Sequence, residues 1–167
     1  MSQTAYQQDP YIAVPGMLVD SSLDKDIISK VLTDATLSFG LAATHDVGQN
    51  DRKARAPAAT GEVTGGAFFG VAWFDATIEQ ADPPVGFSQN DVMGVLRSGR
   101  IWVLSEDIVA TIGLPAFVRF VAAGAEELGA FRTDADTSDA VALPGATFRT
   151  TTSGANQLVV LELAPTA

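Results

Sequence analysis

The only histidine of the chain, His45, is followed directly by a carboxylate, Asp46, and this pair is the first candidate for acid–base chemistry. A neighbouring carboxylate can orient an imidazole ring and favour its charged form. Nucleophilic catalysis also needs a nucleophile held beside the base, and the surrounding sequence supplies none. We therefore predict that His45 is a polar loop residue, and a hydrolase that depends on it is the least favoured class of function.

A second candidate is the run of oxygen-bearing side chains between residues 134 and 139. Asp134, Asp136 and Asp139 alternate with small residues and lie beside Thr137 and Ser138, which is how hard cations such as calcium are wrapped. The run lacks the central glycine and the late bidentate glutamate of a calcium-binding helix–loop–helix. Asp and Ser are also the usual residues of a solvated turn. We predict such a turn and no metal site.

Composition removes several classes of function. The chain has no cysteine, which excludes disulfides, thiolate metal sites, iron–sulfur clusters and cysteine nucleophiles. Its net charge of -10 argues against a nucleic-acid binder, whose affinity rests on cations that meet phosphates. No apolar run approaches the roughly 20 residues of a membrane span, and the N-terminus does not resemble a secretion signal. We expect a soluble protein without a cofactor and without nucleic-acid or membrane partners.

One dense group of positive charges interrupts this acidic sequence. Arg52, Lys53 and Arg55 follow a polar turn that begins at His45. They could dock on an acidic neighbour, where electrostatics sets register more than affinity. They could equally be an exposed loop that keeps the protein soluble, and the sequence leaves both interpretations open.

The elements that must position these residues are short apolar runs, with turn residues roughly every ten positions. Candidate strands cover residues 37–44, 67–74, 92–96, 101–104, 116–121, 128–132, 140–143, 146–152 and 157–163. Regular short strands separated by Gly, Pro and Asp are typical of sandwiches and barrels. At 167 residues the chain suffices for one ordinary domain. We predict an all-β protein, an antiparallel β-sandwich or barrel of jelly-roll-like type with an extended N-terminal arm.

The stretch from residue 91 to 104 is the centre of this prediction. Two apolar, largely β-branched runs flank Arg97-Ser98-Gly99-Arg100, and the Ser-Gly pair indicates a turn. The stretch therefore predicts a buried hairpin with Arg97 and Arg100 at its water-facing tip.

The N-terminal 36 residues form the predicted arm, and residues 37–167 form the β-rich domain. Pro10 and Pro15 bracket a short apolar run that contains Tyr11, which favours an extended path. This path either adds a strand to the sheet or grips a partner, and Tyr11 is then a candidate contact. Residues 23–32 have apolar side chains near helical spacing after a possible cap at Ser22, which on local grounds predicts an amphipathic helix.

Motifs spread along most of the chain resemble those of the structural cement, or capsid decoration, proteins of tailed bacteriophages. Each motif alone is weak, but their order and spacing from residue 15 to residue 163 are similar to those of the family. They are PGM at 15–17, FG at 39–40, PAATG at 57–61, FGVA at 69–72, RSGRIWV at 97–103, PAFVRF at 115–120, GAFRTDAD at 129–136, LPGATF at 143–148 and LVVLEL at 158–163.

The resemblance implies a non-enzymatic β-rich protein on the outer surface of the virion capsid, made in the host cytoplasm, that bridges major capsid subunits. It also implies a strand-like N-terminal region, which speaks against the helix at 23–32. Small copies that must hold several neighbours are expected to oligomerise, and a homotrimer is favoured over a dimer. Candidate contacts with the shell or a subunit are Tyr11, Arg52, Lys53, Arg55, Arg97 and Arg100. The alternative is a β-sandwich of fibre or adhesin type that binds a small molecule or carbohydrate.

Overall fold

The protein is almost entirely β-structure. The computed structural model describes residues 13–19, 25–46, 48–49, 51–65, 67–74, 86–122, 124 and 126–164. Its strands are β1 Asp26–Leu32, β2 Thr36–Ser38, β3 Ala42–His45, β4 Lys53–Arg55, β5 Phe68–Ala72, β6 Gly86–Ser88, β7 Val92–Ser105, β8 Pro115–Arg119, β9 Phe131–Arg132, β10 Ala140–Phe148 and β11 Gln157–Leu163, and its helix is α1 Thr60–Thr64. The predicted all-β class, with a barrel or sandwich arrangement, is confirmed. Within the described ranges, no helix has the length and apolar character needed to cross a membrane.

The strands close into two rings that share β7. The first ring runs β1–β4–β3–β5–β7 and returns to β1, and the second runs β7–β11–β10–β8–β9 and returns to β7. Most neighbours are antiparallel, whereas β1 and β4, and β7 and β9, are parallel. Strands β2 and β6 pair separately as a two-stranded sheet. The long strand β7 is therefore the common wall of both rings.

Two hydrophobic clusters fill the interior, and β7 contributes to both. Met93 and Val95 belong to one cluster, together with Leu32, Phe39 and Phe87. The other cluster contains Leu96, Ile101 and Val103 of β7, with side chains from β8, β10 and β11. These β7 side chains are fully buried. One face of β7 therefore packs in the first cluster up to Val95, and the opposite face packs in the second cluster from Leu96 onward.

The hairpin predicted at residues 91–104 is wrong, because β7 runs without a turn through the Ser-Gly pair. Gly99 has a φ of +120°, and the register against β1 slips there, with Asp26 opposite Ser98 but Ile27 opposite Leu96. This slip makes Arg97 the extra residue of a β-bulge. Leu96 and Ile101 face the same core although their numbers differ in parity. The Ser-Gly pair thus shifts the alternation of inward-facing and outward-facing side chains in β7 by one residue, and it does not reverse the direction of the chain.

The helix predicted from local spacing at residues 23–32 is also wrong, as the family resemblance implied, since residues 26–32 form strand β1. Ile28 and Leu32 pack in one cluster and Ile27 packs against the other. A strand covered on both faces carries apolar side chains at consecutive positions. The pairs Ile27-Ile28 and Val31-Leu32 therefore imitate helical spacing.

Residues 13–19 run beside β7. The Gly16 N–H donates to the Trp102 carbonyl at 2.7 Å, and the Trp102 N–H donates to Met17 O at 2.8 Å. Leu18 forms an antiparallel bridge with Ile101, so this segment covers the edge of β7 between β1 and β9. Tyr11 and the rest of residues 1–12 lie outside the described residues. The extended arm and the division at residue 36 stay predictions.

Candidate functional site

The most heavily charged site in the described part of the chain lies where three strands end. Arg119 is the last residue of β8, Arg132 is the last residue of β9, and Glu106 directly follows β7. Strand β9 pairs with β8 and with β7, which brings these three side chains together. Their exposed fractions are 0% for Arg119 and 11% each for Arg132 and Glu106.

Arg119 is the buried centre of this network. Its Nε donates to Oε1 and Oε2 of Glu106 at 2.9 and 3.1 Å, and one Nη donates to Glu106 Oε2 at 2.9 Å. The same Nη contacts Asp136 Oδ2 and Glu126 Oε2, each at 2.6 Å. The other Nη donates to the Val121 carbonyl at 3.3 Å. The hydrogen bonds to Glu106 are the main cause of a raised pKa of Arg119, which therefore stays charged although it is buried.

Arg132 joins the same carboxylates to the loop that follows β9. One Nη lies 3.1 Å from Glu106 Oε2 and 2.8 Å from Asp136 Oδ2, and the other donates to Asp134 Oδ1 at 2.8 Å. Burial opposes the charged form of Arg132, but Asp107 and Asp134 outweigh it and raise its pKa. The backbone N–H of Asp136 and then Arg132 lower the pKa of Asp134.

This geometry gives the Asp loop a structural role. Asp134 binds Arg132 through one carboxylate oxygen, and Asp136 binds Arg119 and Arg132 through one carboxylate oxygen. No group of three or more His, Asp or Glu side chains in the described residues could hold a metal ion. The network therefore acts as a clasp that ties the ends of β7, β8 and β9 to the loop.

His45 does not sit beside a catalytic partner in the described residues. Its ring packs edge-on against Phe69 with the centroids 5.5 Å apart. The carboxylate of Asp46 lies 3.6 Å from Arg55 Nε. The pairing of His45 with Asp46 that the sequence suggested is thus replaced by an aromatic contact and an ion pair.

Comparison with known families decides what kind of protein this is. A family model described as structural cement protein (E217 gp24/Pam3 gp6) matches residues 1–164. The chain belongs to the structural cement protein family. A solved structure titled "The capsid of Myoviridae Phage XM1" contains a chain that is similar in fold, with a TM-score of 0.74 and 16% identity over 98% of this chain and 97% of that chain. No similar sequence was found among curated proteins.

Two of the contact residues predicted for this cement protein lie at the bend of β7. Arg97 is 44% exposed and its guanidinium is 3.4 Å from Asp26. Arg100 is 49% exposed and its Nε donates to Glu162 at 2.5 Å. Both arginines therefore project from the middle of a strand and not from a hairpin tip, but they remain accessible to a partner.

The other predicted cluster, Arg52, Lys53 and Arg55, lies in strand β4 and directly before it. Arg55 pairs with Glu62 and Asp46, which holds α1 against β4. Lys53 is half-buried on the same strand, and Arg52 is exposed just before it. Arg55 thus has an evident role within its own chain, whereas Arg52 and Lys53 present their side chains at the surface.

Sequence reasoning missed the clasp. Arg119 lies inside the apolar run of residues 116–121, where it follows the buried Val118. An arginine in such a run, together with Arg132 after the buried Phe131, was the available signal, because a buried cation needs carboxylates around it. The sequence did not show which acidic residues would supply them.

Proposed function

We propose that this cement protein binds the outer face of the phage head and stabilises contacts between major capsid subunits. The family match over residues 1–164 is the observation that carries the proposal, and the similarity to a chain of a phage capsid supports it. The role is structural and not enzymatic, without nucleic-acid or membrane partners. The protein is made in the host cytoplasm and acts on the virion as a homo-oligomer, with a trimer favoured over a dimer.

The fold is suited to a protein that holds neighbouring capsid subunits together. Strand β7 belongs to both rings, so a force applied to one ring passes to the other through a continuous backbone. The clasp joins the ends of β7, β8 and β9 through ion pairs that are largely shielded from water, where salt screens charges weakly. The shared strand resists the separation of the two rings, and the clasp resists the opening of the second ring where β7, β8 and β9 end.

The direct test uses capsid shells that lack the protein. Purified protein is mixed with the shells and sedimented, and cryo-electron microscopy then locates the added density. We expect co-sedimentation and new density outside the shell. If the wild-type protein stays in the supernatant, or if its density lies inside the shell, the proposal is wrong.

A matched pair of variants tests the proposed contact at Arg100. Arg100 and Arg149 are 49% and 40% exposed, and each lies 2.5 Å from Glu162. Arg100→Glu and Arg149→Glu therefore lose the same internal partner, but only Arg100 is a proposed contact. We expect Arg100→Glu to weaken shell binding about tenfold, or about 1.4 kcal/mol, and Arg149→Glu to leave it near wild type. Equal binding by the two folded variants would remove Arg100 from the contact.

A further inference from the structure

A groove between the two rings lies next to the clasp, whose Glu106 and Glu126 form part of its lining. Its volume is about 530 Å³, and its apolar lining includes Phe39, Leu41 and Phe74 from the first half of the chain and Leu104 from β7. Leu104 is 44% exposed. Glu126 and Glu127 lie in the same lining. The groove therefore offers apolar walls with carboxylates beside them.

The charge around the groove is not balanced. The charged residues of its lining, Glu106, Glu126 and Glu127, are all acidic. Arg119 and Arg132 are already shared among Glu106, Glu126 and three aspartates. Glu127 has no ion pair or side-chain hydrogen bond with the described residues. An occupant that combines apolar side chains with a cation would match this lining.

The first ring presents such a combination on its outer surface. Val31 of β1 is paired with Val92 of β7 on one side and with Lys53 of β4 on the other. Side chains of directly paired residues lie on the same face of a sheet. The next residues in each strand, Leu32, Met93 and Ala54, are fully buried, so the row of Val92, Val31 and Lys53 faces outward. We call these three residues the Val92 row.

Val92 stands out in this row because its side chain is 64% exposed, the largest fraction among the exposed large hydrophobic residues of the described chain. An isolated exposed valine is ordinary, but here a half-buried valine and a lysine lie directly beside it. Lys53 has no ion pair with the described residues. The Val92 row thus carries apolar side chains that match the walls of the groove, and a positive charge opposite in sign to the carboxylates of its lining.

We propose that the Val92 row of one copy docks in the groove of a second copy, with Lys53 facing Glu127. The contact joins two different surfaces, so it is heterologous, and copies related by a closing rotation form a ring. This inference rests on the proposed function only because it takes the protein to be a homo-oligomer. It adds which surfaces of two copies meet. Buried valine and leucine side chains supply attraction, and the charge pair fixes register.

Self-association of the full-length protein tests the docking directly. Sedimentation equilibrium measures Kd for wild type, Lys53→Glu, Glu127→Lys and the double variant. We expect each single reversal to weaken association at least about tenfold, and the double reversal to restore it because the pair is rebuilt with opposite signs. Lys25→Glu is the control, since Lys25 is exposed and lies outside the Val92 row, and we expect wild-type association. Circular dichroism confirms that each variant is folded.

Val92→Ser provides a second variant on an exposed side chain, where the change leaves the core intact. It removes apolar surface without a charge, and we expect about a tenfold loss of association. A wild-type protein that stays monomeric up to about 1 mM overturns the docking, and so does a double variant that associates no better than the single reversals.

Shell binding by the same variants separates this inference from the proposed function. If wild type binds shells but the reversals leave self-association unchanged, the docking is wrong and the function stands. If the reversals and their rescue behave as expected but wild type does not bind shells, the docking stands and the function is wrong.

Discussion

Replacement of Arg119 by methionine should destabilise the protein more than the loss of any exposed arginine. Methionine is similar in length but carries no charge and no N–H donors. The change removes three hydrogen bonds to Glu106, one to Asp136 and one to a backbone carbonyl. Arg132 is then the remaining described cation for Glu106, Asp134 and Asp136.

The magnitude follows from burial. Removal of one partner from a buried ion pair typically costs about 3–5 kcal/mol, because a charge is left without compensation. Arg132 still contacts Glu106, so we expect the lower end, about 3 kcal/mol. For a domain of this size, each kcal/mol lowers Tm by about 2–4 °C. The expected decrease in Tm is therefore about 6–12 °C.

Urea unfolding followed by circular dichroism measures this loss. Arg97→Met is the matched control, because its ion pair with Asp26 at 3.4 Å is exposed on both sides, and such pairs contribute at most about 1 kcal/mol. A double variant with both Arg119 and Glu106 changed to methionine should regain part of the loss, since no buried charge is then left unpaired at that position. The reasoning is refuted if Arg119→Met and Arg97→Met unfold at the same urea concentration.

Two further predictions concern the bulge and the response to acid. Gly99→Ala should lower the free energy of unfolding by about 1–3 kcal/mol, because φ is +120° at this position. The control Gly61→Ala in α1 should not destabilise the protein, since nothing lies within 4 Å of the added methyl group. Equal urea midpoints for the two variants would contradict this prediction. Hydrogen bonds from Arg149 and then Arg100 lower the pKa of Glu162 in the folded protein. The charged Glu162 carboxylate therefore adds to the free energy of unfolding at neutral pH, and this stabilisation is lost as pH falls below about 4. Wild type and Glu162→Gln should therefore differ in stability at pH 7 and converge in acid, and a difference that stays constant between pH 7 and pH 3 would exclude this linkage.

The all-β class could be predicted from the sequence because turn residues and short apolar runs recur along the whole chain. Residues 157–163, for example, were predicted as a strand and form β11. The helix predicted from local spacing at residues 23–32 was wrong because that prediction assumed that the segment buries only one face. In β1, Ile27 meets one core and Ile28 meets the other, and this two-sided burial depends on the ring around it.

The position of turns was harder to predict, and the errors share one cause. Ser98-Gly99 and Pro144-Gly145 were both taken as breaks between strands. Strand β7 continues through the first pair and β10 through the second, and the register shifts near each. Glycine permits a positive φ in a turn and in a bulge alike. Local sequence does not distinguish the two, because the choice depends on the strands that pair on either side.

The acidic partners of the clasp arginines could not be predicted from the sequence, for a related reason. Arg119, Arg132 and Glu106 end three different strands, and their meeting depends on β9 lying between β7 and β8. The spacing of residues along the chain does not indicate the order of these three strands in the sheet. The aspartates of the adjacent loop were visible in the sequence, and residues 136–139 form a turn as predicted. Their arginine partners were not visible.

The central position of β7 also determines where the two surfaces of the proposed docking lie on each copy. The groove contains Leu104 from one end of β7, and the Val92 row contains Val92 from the other end. Because both surfaces include residues of one continuous strand, their separation and orientation are set by its backbone. Surfaces held on a rigid element lose little freedom when they bind. A single long strand shared by two rings would therefore fix the geometry of the contact that we propose between copies.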